Sequence, residues 1–552
     1  MKRPIVAQAD EGQESGFSSQ NEAPVQTLDR LLGQSCRTYA AHPAFLCLGH
    51  SFCYAQIEQS ALHFASWLQA QGLSSGTRVA VMLPNLPQYP VAIYGILRAG
   101  GVVVNCNPLY TPRELEFQLR DAEVEYLLVL ENFAHTVADI RVPSLRHIIV
   151  TQVGDFMGFR GIILNQILHY WKKAIPPWTL PGAQPFNTIL SQGAQLPFTC
   201  PSLTADHLAF LQYTGGTTGR AKGAMLSHGN IMANLTQVGE WVKDALVPGE
   251  ERVVTALPLY HIFALTANCL LFWKLGATNL LIPNPRDIPA LVKTLSRFPM
   301  TVFTGVNTLF AALLHHPRFS QIDFSHFKAT LGGGMAVQPE IAEKWARVTG
   351  CPINQAYGLT ETSPAVTLHP MTLEGFDGSI GHALPETEIS LRTDEGHEVG
   401  EGESGEICVR GPQVMKGYWQ QAEESTAVFW PDGFLKTGDI GRWGPGEMLF
   451  LLDRKKDMIK VSGFNVYPNE IEAVISQHPD VQEVAAIGVD DPHSGQAIKV
   501  FVVRRHPQLT TESLLTYCHH QLTGYKIPRQ VEFRDSLPHS TIGKVLRRAL
   551  KE

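Results

Sequence analysis

Leu208-Ala209-Phe210-Leu211 leads, two residues on, into Thr214-Gly215-Gly216-Thr217-Thr218-Gly219-Arg220-Ala221-Lys222-Gly223-Ala224, with Tyr213 at the junction. An apolar strand thus enters three threonines and four glycines, and one lysine stands near the far end. Glycines let backbone N–H groups approach an anion, hydroxyls donate further hydrogen bonds and the lysine neutralises charge, so the stretch reads as a loop that wraps phosphates. It is not a Walker A loop, which needs Gly-Lys-Ser/Thr after four spacer residues, whereas Lys222 here lies between Ala221 and Gly223. A flexible surface turn is the bland alternative, and it would leave the threonine cluster and the lysine unexplained.

Outward from this loop the chain alternates strand and helix. Gln56 to Gln71 carries apolar residues at helical spacing and stops at Gly72; Arg78 to Leu83, Gly101 to Asn105 and Tyr126 to Leu130 read as buried strands, with a helix over Tyr89 to Ala99. Thr111-Pro112-Arg113-Glu114 supplies an N-cap, a first-turn proline and a glutamate at the third position, which predicts a helix to about Asp121. After the loop the alternation resumes through Met300 to Thr304, Ala329 to Leu331 and a helix around Glu340 to Val348, so the expected body is a large α/β domain. Beyond Gly378 short alternating strands such as Glu388 to Leu391 and Glu406 to Arg410 predict an appended small barrel or sheet, residues 378–452. The charged run Asp453-Arg454-Lys455-Lys456-Asp457 separates two apolar strands and marks a boundary. The expected division is a disordered arm at 1–24, a large domain at 25–452, a hinge at 453–457 and a small α+β domain at 458–552. In the last, Glu470 to Ser476 should be helix, Val484 to Val489 and Ile498 to Val503 strands, and a helix should close the chain after Gly543.

Bulk properties narrow the function classes. The chain has 552 residues, 44% of them hydrophobic, and a formal charge of -7, which gives no electrostatic footprint for nucleic acid. From Asp453 to Glu552 there are 14 Lys+Arg against 12 Asp+Glu, so a slightly basic tail faces an acidic body, an arrangement suited to closing over a polyanion. Nine scattered cysteines with no CxxC pair indicate a reducing compartment. Met1 to Pro24 is polar and lacks the apolar segment of a signal peptide. Val253 to Trp273 has no charged residue, but Pro258, His261, Thr266 and Asn268 interrupt it, and a buried strand, turn and helix is expected rather than a membrane span. Between Asp155 and Pro177, Ile162, Ile163, Ile167, Leu168, Tyr170, Trp171 and Ile175 alternate with polar residues; this amphipathic segment is expected to pack on its own domain, with a membrane surface as the other reading.

Four more clusters carry chemistry. Gly332-Gly333-Gly334-Met335 follows a strand and would let a flat ring or a phosphate approach the backbone, as a ligand-free tight turn also would. Tyr357-Gly358-Leu359-Thr360-Glu361-Thr362 offers an aromatic for stacking, a hydroxyl for phosphate and a carboxylate for Mg2+. Thr437-Gly438-Asp439 offers an acid to ribose hydroxyls. Leu537-Pro538-His539-Ser540-Thr541-Ile542-Gly543-Lys544 places one lysine after a turn.

In this order the motifs closely resemble the adenylate-forming superfamily of acyl-CoA synthetases, adenylation domains and luciferases, over nearly the whole chain after the arm. Leu257 to Phe263, Val461 to Glu472 and Gln521 to Lys526 are similar to bacterial long-chain fatty acid CoA ligases. The resemblance implies a two-step reaction: a fatty acid carboxylate attacks the α-phosphate of ATP, giving an acyl-adenylate and pyrophosphate, and the thiol of coenzyme A then displaces AMP. It implies that the loop from Tyr213 through Thr214, Gly215, Gly216, Thr217, Thr218 and Gly219 to Lys222 holds the β- and γ-phosphates. Gly333, Gly334 and Tyr357 would frame adenine, Thr360 would meet the α-phosphate, Glu361 would bind Mg2+, and Asp439 with Arg454 would hold the ribose. Lys544 would be catalytic in the first step, because an ammonium placed where charge builds stabilises the transition state more than the ground state. His261 would sit beside the acyl carboxylate, although a core histidine would look the same. Rotation about Lys456 would withdraw Lys544 and bring Val461, Ser462, Gly463 and Phe464 to line the coenzyme A channel.

Two positions depart from the relatives. Leu265 stands where some carry a tryptophan that plugs the acyl tunnel, and Arg220 stands where a small or apolar residue is frequent. The leading reading is a cytoplasmic enzyme; loose attachment to the inner membrane face rests on the amphipathic stretch Arg160 to Trp178 alone, and an oligomer is left open. Medium-chain or aryl acids, or a carrier protein as acceptor, are the competing enzyme readings, and a silent acyl- or nucleotide-binding protein is the competing reading of another class.

Overall fold

A computed structural model describes residues 27–171, 175–214, 221–373, 375–400, 402–491, 493–539 and 545–551. Two large sheets build the body. The seven-stranded sheet runs Gln184–Pro185, His147–Thr151, Tyr126–Leu130, Arg78–Met82, Val102–Asn105, Leu208–Thr214, Lys222–Ser227. Its neighbours are parallel except the last strand, which turns back on Leu208–Thr214 and pairs Thr214 with Lys222, so the two ends of the predicted phosphate loop are adjacent. The nine-stranded sheet has a parallel centre of Pro43–Cys47, Thr278–Leu281, Arg252–Thr255, Val302–Gly305, Ala329–Gly332 and Ile353–Gly358, with antiparallel edges. The continuous apolar runs read from the sequence are these central strands, buried on both faces.

Helices Tyr54–Ala70 and Gln88–Ala99 pack on each other in a core that reaches both sheets, around the fully buried Trp67, Tyr94 and Trp273. Polar side chains also tie the sheets together. Asn85 donates to the carbonyls of Thr255 and Leu257 and accepts from Leu259 N–H, each at 2.9 Å, and the Tyr89 hydroxyl lies 2.6 Å from Asn105 and 2.7 Å from the Leu259 carbonyl. These bonds hold the 255–261 loop of one sheet against the other. The uncharged run Val253 to Trp273 is therefore a strand, a clipped loop and a helical stretch ending at Lys274, all in the core. No helix among the described residues is long and apolar enough to cross a membrane.

The barrel-or-sheet alternative beyond Gly378 resolves as an open antiparallel sheet of Glu388–Arg392, Ser404–Arg410, Leu435–Trp443 and Leu449–Arg454 in chain order. A turn at 455–457 leads into a five-stranded sheet with its own core, including Ile459, Val500 and Leu514. The helix expected to close the chain is a single 3-10 turn, Arg547–Leu550, whose few residues cannot support a longer helix.

The amphipathic segment is a correction. Helix Gly158–Gln166 and its π-helical continuation Ile167–Trp171 do not bury their apolar face: Phe159 is 76% exposed, Ile162 58%, Tyr170 70% and Trp171 86%. Its small and polar face docks instead. A Cβ on Gly161 would overlap the carbonyl oxygen of Gly154, and Asn165 accepts from Gly154 N–H at 2.7 Å while donating to Gln152 at 3.0 Å. Close approach at two glycines fastens the helix and leaves the apolar side outward. Residues 1–26 and 172–174, with the predicted arm and the end of this segment, lie outside the described residues.

Candidate active site

A cleft of about 2480 Å³ opens between the body and the C-terminal unit. Gly334, Tyr357, Asp439, Arg454 and Lys456 line it, so residues predicted from separate motifs converge on one wall. Helix Pro112–Asp121 borders the same cleft, and its predicted capping box is present: Glu114 N–H donates to Thr111 Oγ1 at 3.3 Å and Thr111 N–H to Glu114 Oε2 at 2.8 Å.

Register explains the central cluster. Asp439 and Arg454 are cross-strand partners, 3.0 Å apart from carboxylate oxygen to Nε, and the Tyr357 hydroxyl from the neighbouring large sheet donates to the other Asp439 oxygen at 2.8 Å. Gly438 precedes Asp439 with φ +72°, a conformation open to glycine. Burial, and then Asp439, push the Tyr357 phenol well above its usual pKa, while Asp439 raises that of Arg454. At working pH this is an un-ionised phenol and a guanidinium flanking an aspartate 3% exposed, a set of directed donors and acceptors suited to vicinal hydroxyls. Behind it, a Cβ on Gly333 would press on the Ala356 carbonyl and the Phe263 ring at 3.1 Å, and Gly334 has φ +76°, a conformation that favours glycine.

A second cluster gathers around Lys222, at the end of the predicted phosphate loop. Lys222 Nζ pairs with Glu424 at 2.5 Å and stands 5.2 Å from the centre of the Tyr418 ring. Tyr418 in turn donates to Glu361 at 2.8 Å, and Met415 N–H bonds the Glu361 carbonyl. Glu361 is thereby fixed within the 3-10 turn Thr360–Thr362 beside the loop's second strand. Tyr213 donates to Asp121 at 2.5 Å, so in this structure its hydroxyl is engaged by the body. Among the described residues no three His, Cys, Asp or Glu form a metal cluster. Glu361 is a single carboxylate, the kind of ligand through which Mg2+ binds while otherwise keeping waters or phosphate oxygens.

Other predicted residues lie apart. His261 caps the helical turn Ile262–Ala264, its Nδ1 accepting from Phe263 N–H at 3.4 Å, and burial lowers its pKa to about 4, so it is a neutral acceptor. Leu265 is fully buried at the start of a π-helical turn. Val461, Ser462, Gly463 and Phe464 form a tight β-turn whose strands pair, with Phe464 56% exposed and stacked on Tyr525 at 4.7 Å; they do not line the cleft. Lys456 does line it, and burial lowers its pKa. Gly215, Gly216, Thr217, Thr218, Gly219 and Arg220, and likewise Lys544, lie outside the described residues. Their flanks do not: Thr214 pairs with Lys222, and His539 pairs with Val545 at the rim of the cleft.

Tyr418, Glu424, Asp121, Asp453 and Arg547 escaped sequence reasoning. Each acts through a partner 57 to 202 residues away, so no local motif announces it. The aromatic pair Tyr418-Trp419 was the nearest thing to a signal.

Residues 32–419 match the family described as AMP-binding enzyme, and residues 470–544 match its C-terminal domain family. The chain is 52% identical over 530 residues to a long-chain-fatty-acid–CoA ligase of Escherichia coli O157:H7, covering 96% of this chain and 94% of the relative. It is 38% identical to the ligase of the same name from Bacillus subtilis, over 96% and 95% of the two chains. Among solved structures, an anthranilate CoA ligase in complex with anthranoyl-AMP superposes with a TM-score of 0.84 at 26% identity, over 96% of this chain and 97% of that one.

Proposed function

The chain belongs to the AMP-binding enzyme family, and from that premise we propose how its own residues perform the chemistry of an ATP-dependent long-chain-fatty-acid–CoA ligase. The enzyme activates a fatty acid with ATP, releases pyrophosphate, and passes the acyl group to coenzyme A with release of AMP, a role in fatty acid metabolism. The convergence of Gly334, Tyr357, Asp439 and Arg454 on a cleft rimmed by His539 and Val545 carries the assignment of roles. Asp439, oriented by Tyr357 and Arg454, accepts from the ribose hydroxyls, and the 333–334 backbone gives adenine a flat approach. Lys222 and the 214–219 loop take the β- and γ-phosphates, with Lys222 exchanging Glu424 for the nucleotide, and Thr360 meets the α-phosphate. Glu361, held by Tyr418, would hold Mg2+, which screens phosphate charge when bound. His261, kept neutral with Nδ1 accepting from Phe263 N–H, presents Nε2–H as a donor to the acyl carboxylate without adding a positive charge. Lys544 stabilises the charge that accumulates as carboxylate and α-phosphate approach. Rotation at Lys456 then exchanges Lys544 for Val461 to Phe464, consistent with the latter lying outside the cleft here.

The test compares intact protein with Lys544→Ala, measuring pyrophosphate and acyl-CoA from acids of increasing length. Long acids should yield both products, and the variant should lose adenylate formation while still converting supplied acyl-adenylate with coenzyme A. Pyrophosphate without thioester would point to another acceptor, and neither product with any acid would overturn the assignment.

We further propose that the outward face of 158–171 rests on a lipid bilayer. Six of the eleven exposed large apolar side chains among the described residues lie on it, Tyr170 and Trp171 are interfacial residue types, and Arg160 supplies a cation for anionic headgroups. The long-chain acid partitions into the same phase. Co-sedimentation with anionic vesicles should fall sharply in Ile162→Glu/Trp171→Glu; unchanged binding would remove the bilayer as occupant.

A further inference from the structure

Arg547 spreads its guanidinium over groups on both sides of the 455–457 turn. Nη1 lies 3.1 Å from Asp453 and 3.6 Å from Asp457; Nη2 lies 2.7 Å from Glu472 and 2.5 Å from Asn469; Nε donates to Glu472 at 3.0 Å. Asp453 ends in the body's small sheet, its side chain fully buried, and it also accepts from Asn469 N–H at 2.7 Å. Asn469 Nδ2 donates back to the Leu452 carbonyl at 3.2 Å, and Tyr467 OH lies 3.3 Å from Ser404 Oγ. Leu452, Asp453 and Ser404 belong to the body; Tyr467, Asn469, Glu472 and Arg547 belong to the C-terminal unit.

The pivot between these two sets is narrow. Lys455 is anchored to the body by Glu406 at 2.9 Å and Asp394 at 2.6 Å, whereas Asp457 already faces Arg547. Only Lys456 lies between an anchored neighbour on each side. A rotation there must part Arg547 from Asp453 and Asn469 from Asp453 and Leu452, while the Arg547–Glu472 pair travels intact with the C-terminal unit. Leaving Asp453 buried without its cation is unfavourable, so these bonds resist the rotation.

We propose that Asp453 and Arg547 form a clasp across the pivot, holding the C-terminal unit with the flanks of 540–544 at the cleft and Val461 to Phe464 outside it. They are positioning residues for acid activation: Arg547 stands three residues after Lys544, and bonding to Asp453 ties that part of the chain to the strand bearing Arg454. Opening the clasp is the conformational cost of passing to the thiol-transfer step. The inference rests on the two-step reading given under Proposed function.

Asp453→Asn removes the charge while keeping an acceptor for Asn469. Loss of one charge-assisted bond should slow oleate-dependent ATP–pyrophosphate exchange about tenfold. Conversion of supplied oleoyl-adenylate with coenzyme A should stay unchanged or rise. Asn469→Ala, at a partly exposed position, should move the ratio of the two rates the same way by a smaller factor, and decides the matter if Asp453→Asn does not fold. Equal loss in both halves, or no change in either, overturns the clasp. Hydrogen exchange reads it without turnover: amides of 466–472 should exchange about fivefold faster in Asp453→Asn. Unchanged exchange overturns the clasp whatever the activity. A wild-type protein inactive in both halves would instead sink the ligase mechanism and leave the exchange result to judge the clasp.

Discussion

Asp439 has both carboxylate oxygens engaged, by Tyr357 at 2.8 Å and Arg454 at 3.0 Å, so it is held before any nucleotide arrives. Tyr357→Phe should strand one buried oxygen, lower stability by about 1–3 kcal/mol in urea unfolding, and raise the KM for ATP more than it lowers kcat. Unchanged stability and KM would show that Arg454 alone orients the carboxylate. Buried histidines set a different sensitivity. His228 Nδ1 accepts from Leu28 N–H at 3.1 Å, and burial lowers its pKa from 6.5 to about 4. Between those values the unfolded chain binds the extra proton, so stability is full above pH 6.5 and drains as pH falls toward 4, by roughly 3 kcal/mol from this group. Thermal unfolding from pH 7 to 4.5 should show a shallower decline in His228→Gln; an identical slope would locate the acid sensitivity elsewhere. Residue types of the cleft wall were legible because glycines, an aromatic and carboxylates fall in short motifs. Their supporting partners were not, because Tyr418, Glu424 and Arg547 meet the site only through folding.

At the scale of elements, capping and periodicity were readable. Thr111 and Glu114 form the box expected of them, and Tyr126–Leu130 is the strand its apolar run predicts. Helix 158–171 was not readable, since its amphipathic spacing says that one face is apolar but not which face docks. Here docking is decided by shape, through the Gly154–Gly161 contact and the Asn165 bonds. Gly161→Ala should therefore loosen the helix from the body: hydrogen exchange over 158–166 should accelerate while the seven-stranded sheet stays protected. Equal protection would mean that the asparagine bonds alone suffice to hold it.

The whole molecule is a body and a C-terminal unit joined through a short turn, each with its own buried clusters. Ile459, Val500, Leu514 and their neighbours form a cluster separate from that of the large sheets. Calorimetry should resolve a smaller transition for the C-terminal unit, on the order of 65 kcal/mol at about 0.7 kcal/mol per residue, apart from the body's. Asp453→Asn should move it to lower temperature, and a single merged transition in both proteins would show that the interface, not the separate packing of the two units, governs unfolding.

The sequence by itself determined the α/β class, the strands and helices named from it and the residue types that Gly334, Tyr357, Asp439 and Arg454 bring to the cleft wall. These follow from local rules: side-chain periodicity, caps, and glycine where backbone must approach a ligand. Only the tertiary structure decided that Asp439 sits between Tyr357 and Arg454, that the apolar side of helix 158–171 faces outward, and that Arg547 closes on Asp453 across the pivot. The reason is physical: such contacts depend on sheet register and packing between residues as much as 94 positions apart, which no short window of sequence encodes.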